Sequence, residues 1–127
     1  AIYHLDGPDA LMHLDDLLSI STLTGIQWVP GAGKDLTCSD TWMPVYKKIQ
    51  AAGKNVVMDL FERPESLTHF YKTLDPKLLY TFCLFADKAR AQFYLPKFLG
   101  GNFQGGEGNY RTFKKEYRKK IKSKKKC

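Results

Sequence analysis

The stretch "NVVMDLFERPESLTHFYKTL", Asn55–Leu74, decides the fold. Its first seven residues, Asn55–Phe61, form a short apolar run with two adjacent valines and a single interior charge, Asp59. Such a run suits a strand buried on both faces, as parallel strands are. The next residues change period. Pro64 fits the first position of a helix, and Leu67, Phe70, Tyr71 and Leu74 recur at helical spacing to make one apolar face. A buried strand followed at once by an amphipathic helix is one βα unit.

The same unit repeats on either side. Downstream, "LLYTFCLF" (Leu78–Phe85) reads as a strand, and Ala86–Leu99 as a helix bent or ended near Pro96. Upstream, Ile2–Asp6 is a strand. Asp9–Ile20 carries Ala10, Leu11, Leu14, Leu17 and Leu18 at helical spacing. Gly25–Val29 is a second strand, and a helix from Trp42 to Ala52 ends at Gly53, a C′ glycine. Four consecutive βα units predict an α/β fold with parallel strands. Two architectures fit, an open doubly wound sheet or half of a (βα)8 barrel. Both place ligands at the carboxyl ends of the strands, here Asp6, Pro30, Phe61–Arg63 and Cys83–Phe85.

The 127-residue chain is 43% hydrophobic, which suits one domain with a modest core. Its net charge of +7 is unevenly spread. Arg111–Cys127 holds ten Lys/Arg and one acid, Glu116, whereas residues 1–110 hold ten Lys/Arg and twelve Asp/Glu. The expected organisation is a (βα)4 domain over 1–99, a Gly-rich linker over 100–109 and a mobile basic tail over 110–127. No apolar run reaches the ~18 residues of a membrane span. The three cysteines, Cys38, Cys83 and Cys127, are irregularly spaced and read as reduced thiols of a cytoplasmic protein. Because the chain starts at Ala1, inside an apolar stretch, it reads as a fragment or processed product.

The site candidates sit at strand ends. His4 and Asp6 are two residues apart, so both side chains leave the same side of their strand. They are either a pair of metal ligands or a polar brace for the loop that Gly7-Pro8 opens. Cys83, near the end of the fourth strand, is either a third ligand or a small core residue. Asp59 and Glu62 are candidate acid–base groups at the third strand's end. "PGAGKD" (Pro30–Asp35) fails the Walker pattern because no Ser or Thr follows Lys34. Gly31 and Gly33 leave it a weak anion loop. The tail interleaves Tyr110, Phe113, Tyr117 and Ile121 with basic residues, a composition that attracts nucleic acid or an anionic membrane.

"YHLDGPDALMHLDDLLSISTLTGIQWVPGAG" (Tyr3–Gly33) followed by "WMPVYKKIQAAGK" (Trp42–Lys54) resembles the C-terminal part of the uroporphyrinogen decarboxylase superfamily. That superfamily includes zinc-dependent methyltransferases that act with corrinoid proteins and is related to cobalamin-independent methionine synthase. The resemblance covers about residues 1–99, with its specific part in the first 55 or so. It implies a (βα)8 barrel of which this chain supplies the last four units, completed by an N-terminal half or by a homodimer.

In the methyltransferase branch the motif is His-x-Cys-Gly with a distant Cys on the last strand. His4-Leu5-Asp6-Gly7 matches at His4, has Asp6 where the first Cys stands, and pairs with Cys83 as the distant Cys. The resemblance thus implies a zinc site of His4, Asp6 and Cys83, and methyl transfer to a thiol or related small substrate. The donor would be a methylated corrinoid, carried on a corrinoid partner protein, or another methyl donor. The Asp for Cys exchange departs from the pattern and puts the metal in doubt. The decarboxylase branch is the alternative, a metal-free carboxy-lyase that relies on Arg groups. Residues 1–99 contain only Arg63 and Arg90. A third reading is a non-catalytic domain whose basic tail binds nucleic acid or membrane.

Overall fold

The computed structural model describes residues 1–60, 63, 66–99 and 113–119. Contacts group the chain into two compact units, Ala1–Cys83 and Leu84–Cys127. The division falls directly after the fourth strand, upstream of the glycine-rich stretch at 100–109 where the composition alone put it.

The first unit is a four-stranded parallel sheet: β1 (Ile2–Asp6), β2 (Gly25–Val29), β3 (Asn55–Asp59) and β4 (Leu79–Phe82). The strands lie in the order β1-β2-β3-β4. Each crossover therefore steps one strand in the same direction, with no reversal. A doubly wound sheet needs a reversal to put helices on both faces. Under the right-handed crossover rule, winding in one direction puts every crossover on one face. The α/β fold of consecutive βα units is therefore present, and its strands follow one another across the sheet without a reversal.

Burial follows this winding. Leu5, Ile26, Trp28, Val56 and Met58 share one face through the strand register, and all are at most 1% exposed. Against this face lie α1 (Leu14–Ser19), α2 (Met43–Ala51) and α3 (Leu67–Thr73), which bury Leu14, Tyr46, Ile49, Leu67 and Phe70. Trp28 meets Trp42 edge-on at 5.1 Å, and Tyr46 meets Phe70 edge-on at 5.9 Å. Burial of aromatic rings of this size contributes much of such a core. The opposite face, which carries His4, Asp6 and Tyr80, is open at its edges, with Tyr80 61% exposed, while Val57 between them is 5% exposed.

Local chemistry sets where the elements stop. α2 ends in a Schellman motif: Gly53 N–H donates to Gln50 O at 2.8 Å and Lys54 N–H to Ile49 O at 3.2 Å, with Gly53 at φ 70°. That is the C′ glycine expected from the sequence. Lys54 is then buried, and its ammonium donates to Ile20 O at 2.8 Å and Leu23 O at 2.6 Å. These two bonds tie the start of β3 to the turn before β2. A charged group is tolerated here because its ammonium is hydrogen-bonded to two carbonyls, Ile20 O, which also accepts from Leu23 N–H, and Leu23 O.

Several boundaries are shorter than the apolar pattern suggests. The first helical segment splits into a 3₁₀ turn, Pro8–His13, and α1, because Pro8 opens the turn without donating an amide. β3 and β4 are trimmed to the residues that pair across the sheet. The Pro64 start expected for α3 lies outside the described residues.

The second unit contains α4 (Lys88–Leu99) and a helix over 113–119, α5. α4 runs through Pro96 instead of stopping there. Phe93, Tyr94, Phe85 and Phe113 cluster, with Phe93 and Phe113 5.3 Å apart, and Lys114 pairs with Asp87 at 3.0 Å. The linker expected over 100–109 and most of the tail lie outside the described residues. Among the described residues, no helix is long and apolar enough to cross a membrane.

Candidate functional site

The open face of the sheet gathers its polar groups at the carboxyl ends of the strands. His4 and Asp6 stand on β1, two residues apart and both exposed. The register sets His4 beside Gln27, and His4 Nδ1 lies 3.1 Å from Gln27 Oε1. With the amide in this orientation Nδ1–H donates to Oε1, leaving Nε2 as the free ring nitrogen. Asp59, at the end of β3, is two residues after Val57 and so belongs to the same face as Gln27, the register partner of Val57.

A cleft of about 450 Å³ opens between the ends of β2 and β3, lined by residues 29–37 and Asp59. Its wall is the glycine-containing loop. Gly31 and Gly33 have φ of 88° and 75°, the left-handed region that favours glycine. A side chain built on Gly31 would have its first carbon 4.0 Å from Asp6 Oδ1, so the loop passes directly beside that carboxylate.

The loop is pinned on its inner side to Asp59. Thr37 Oγ1 donates toward both Asp59 O (3.0 Å) and Asp59 Oδ1 (3.1 Å), and Tyr46 OH donates to Thr37 O at 2.7 Å. Burial, aided by the nearby Asp59 and Cys38, raises the Tyr46 hydroxyl far above its ordinary range. It therefore stays protonated and acts only as a donor. On the outer side Trp42 Nε1 donates to Asp35 O at 3.1 Å, Thr41 donates to the Asp35 carboxylate, and Asp40 meets His69 at 2.6 Å. The second half of the loop is thus held to α2 through Thr37 and to α3 through Asp40, while Gly31 and Gly33 line the cleft.

Cys83 does not join this constellation. Asp59 pairs with Phe82, and the next ladder bond runs from Leu60 N–H to Phe82 O at 3.0 Å. β4 ends at Phe82, so Cys83 lies one residue past the strand, where it is half-buried. Burial pushes its thiol up to about 11, the reverse of the shift that makes a ready thiolate. β1 and β4 are moreover the two outer strands, separated by three strand spacings of ~4.8 Å each.

Among the described residues, no three of His, Cys, Asp and Glu are gathered as a metal ion requires. His4, Asp6 and Cys83 therefore do not fit a zinc centre: His4 and Asp6 share a side of β1, and Cys83 follows the strand at the other edge of the sheet. Glu62 lies outside the described residues.

Sequence reasoning missed Gln27, Thr37 and Tyr46. Gln27 becomes a partner of His4 only through strand pairing. Tyr46 looks like any apolar helix residue until its hydroxyl is seen to reach Thr37. Thr37 had one available signal, its place in a strand-to-helix loop at the functional end of the sheet.

A scan against protein-family models, a search of curated proteins and a search of solved structures each found no match to this chain.

Proposed function

We propose that the chain is the C-terminal half of a (βα)8-type enzyme of the uroporphyrinogen decarboxylase and methyltransferase superfamily, transferring a methyl group to a small substrate such as a thiol. The observation that carries this reading is the shared sheet face, which brings Asp6 and Asp59 to the carboxyl ends of parallel strands at the cleft, with His4 two residues back on β1. Such strand ends are where singly wound α/β enzymes bind and react their substrates.

Charge narrows the substrate. Asp35 and Asp59 line the cleft and Asp6 flanks it at Gly31, against a single lysine, Lys34. Two unit charges 4 Å apart interact by about 1 kcal/mol in water and about 4 kcal/mol near a protein surface. A polycarboxylate is repelled here; a neutral or cationic substrate is not. His4 Nε2 and the Asp59 carboxylate are the groups available to accept a proton from the attacking atom. A methylated corrinoid or another donor supplies the methyl group. The zinc ligand set does not fit, so no step is assigned to a metal.

The carboxy-lyase is the second reading. It needs no metal, but its anionic substrate suits this cleft poorly.

The test is NMR titration of the chain with a small thiol, a methylammonium salt and a tricarboxylate, following the amides of residues 31–37. Shifts with the thiol or methylammonium that Asp59→Asn weakens are the expected result. A response to the tricarboxylate alone favours the carboxy-lyase, and no response to any of them overturns a site at this cleft.

A further inference from the structure

The second unit carries a charged surface that no small-molecule chemistry uses. Lys115, Arg118 and Lys119 on α5 are exposed. Their spacing of three and four residues puts them on one side of the helix, within about one turn. The sequence continues the excess through Lys120, Lys122 and residues 124–126. Over Arg111–Cys127 the count is ten cations to one acid.

The apolar side of the same helix is already occupied. Phe113 packs on Phe93 of α4 at 5.3 Å, and Tyr117 stacks on Phe113 at 5.8 Å with an interplanar angle of 25°. Both rings are half-buried. A helix that lies in a membrane interface must sink its apolar face into the acyl boundary. α5 has turned that face toward α4, so only its cationic side is offered outward.

We propose that the exposed cationic side of α5 is a docking surface for the phosphate backbone of a nucleic acid. Duplex DNA carries one negative charge per ~1.7 Å of its axis, dense enough to engage several of these cations at once and release their counterions. The exposed face offers lysine and arginine without an aromatic platform aimed at base edges, so recognition is by charge and independent of sequence. The surface is separate from the sheet-end cleft and stands whether or not the enzymatic reading does.

The experiment is fluorescence polarisation of the full chain with short labelled duplex DNA of random sequence across a salt series. Phosphatidylserine vesicles at the same salt form the competing arm. Binding is expected to weaken linearly in log–log form as salt rises. The triple variant Lys115→Ala, Arg118→Ala, Lys119→Ala should flatten that slope by about 2 to 3. The charge-keeping variant Lys115→Arg, Lys119→Arg should bind like the original chain, which separates lost charge from lost structure. Three results overturn the proposal: no salt-dependent binding, an unchanged slope in the triple variant, or tighter binding to the vesicles than to DNA.

Discussion

The hydroxyl of Thr37 reaches both oxygens that Asp59 offers, the backbone carbonyl at 3.0 Å and the carboxylate at 3.1 Å. One short side chain in the β2–α2 loop thereby fixes the last residue of β3. Replacing Thr37 with Val keeps the shape and removes the donor. Stability is expected to fall by about 1 kcal/mol, the net worth of an ordinary hydrogen bond. Urea denaturation reads the loss, and faster amide exchange in the loop shows where it acts.

Tyr46 makes stability depend on alkaline pH. Its hydroxyl ionises near 10 in the unfolded chain and far higher in the folded one. Above pH 10 the unfolded state binds fewer protons than the native state, so the slope of stability with pH is negative. Its contribution is full below pH 10 and declines by about 1.4 kcal/mol per unit above it. Tyr46→Phe should remove this part of the slope and cost about 1 kcal/mol at neutral pH through the lost bond to Thr37 O. Denaturation curves of the two proteins between pH 8 and 11 make the comparison.

Cys83 acts in the same direction over a different window. Its folded thiol titrates at about 11 against the ordinary value of 9.0, so its contribution is present below pH 9 and lost as pH rises to about 11. Cys83→Ser is expected to flatten that window. Reaction with a thiol reagent at neutral pH should be slower at Cys83 than in the unfolded chain, since little thiolate is present.

Zinc uptake is a separate check. Because His4, Asp6 and Cys83 are not gathered, any zinc the chain takes up should be unchanged in affinity by Cys83→Ser. Equilibrium titration with a chromogenic chelator measures this. A tenfold or greater loss in the Cys83 variant would show that the three residues do meet.

Lys54 holds two carbonyls with one buried ammonium. Lys54→Met keeps the aliphatic stem but leaves Ile20 O and Leu23 O without that donor. A loss of about 1.5–3 kcal/mol is expected, the range for hydrogen bonds to charged groups. Thermal unfolding followed by circular dichroism would detect it.

Much of this architecture was legible one element at a time. The valines of Asn55–Asp59, the apolar stripe through Leu67 and Phe70 and the C′ glycine at 53 each act through neighbours a few residues away. So does the same-side placement of His4 and Asp6, since period-two alternation is a property of the strand itself. Burial of Lys54 was not legible, because it depends on carbonyls more than thirty residues distant. The 3₁₀ form of Pro8–His13 was missed because its apolar spacing resembles that of an α-helix.

The sequence by itself determined that this protein alternates strands and helices, that its strands run parallel, and that its charge is concentrated at its end. These follow from local periodicity and composition. Only the tertiary structure decided the order of the strands, the pairing of His4 with Gln27, the grip of Thr37 on Asp59, and the placing of β1 and β4 at opposite edges of the sheet. Those outcomes depend on which strand lies next to which and in what register. Strand pairing joins residues far apart in the chain, and a shift of one residue would send every side chain to the other face.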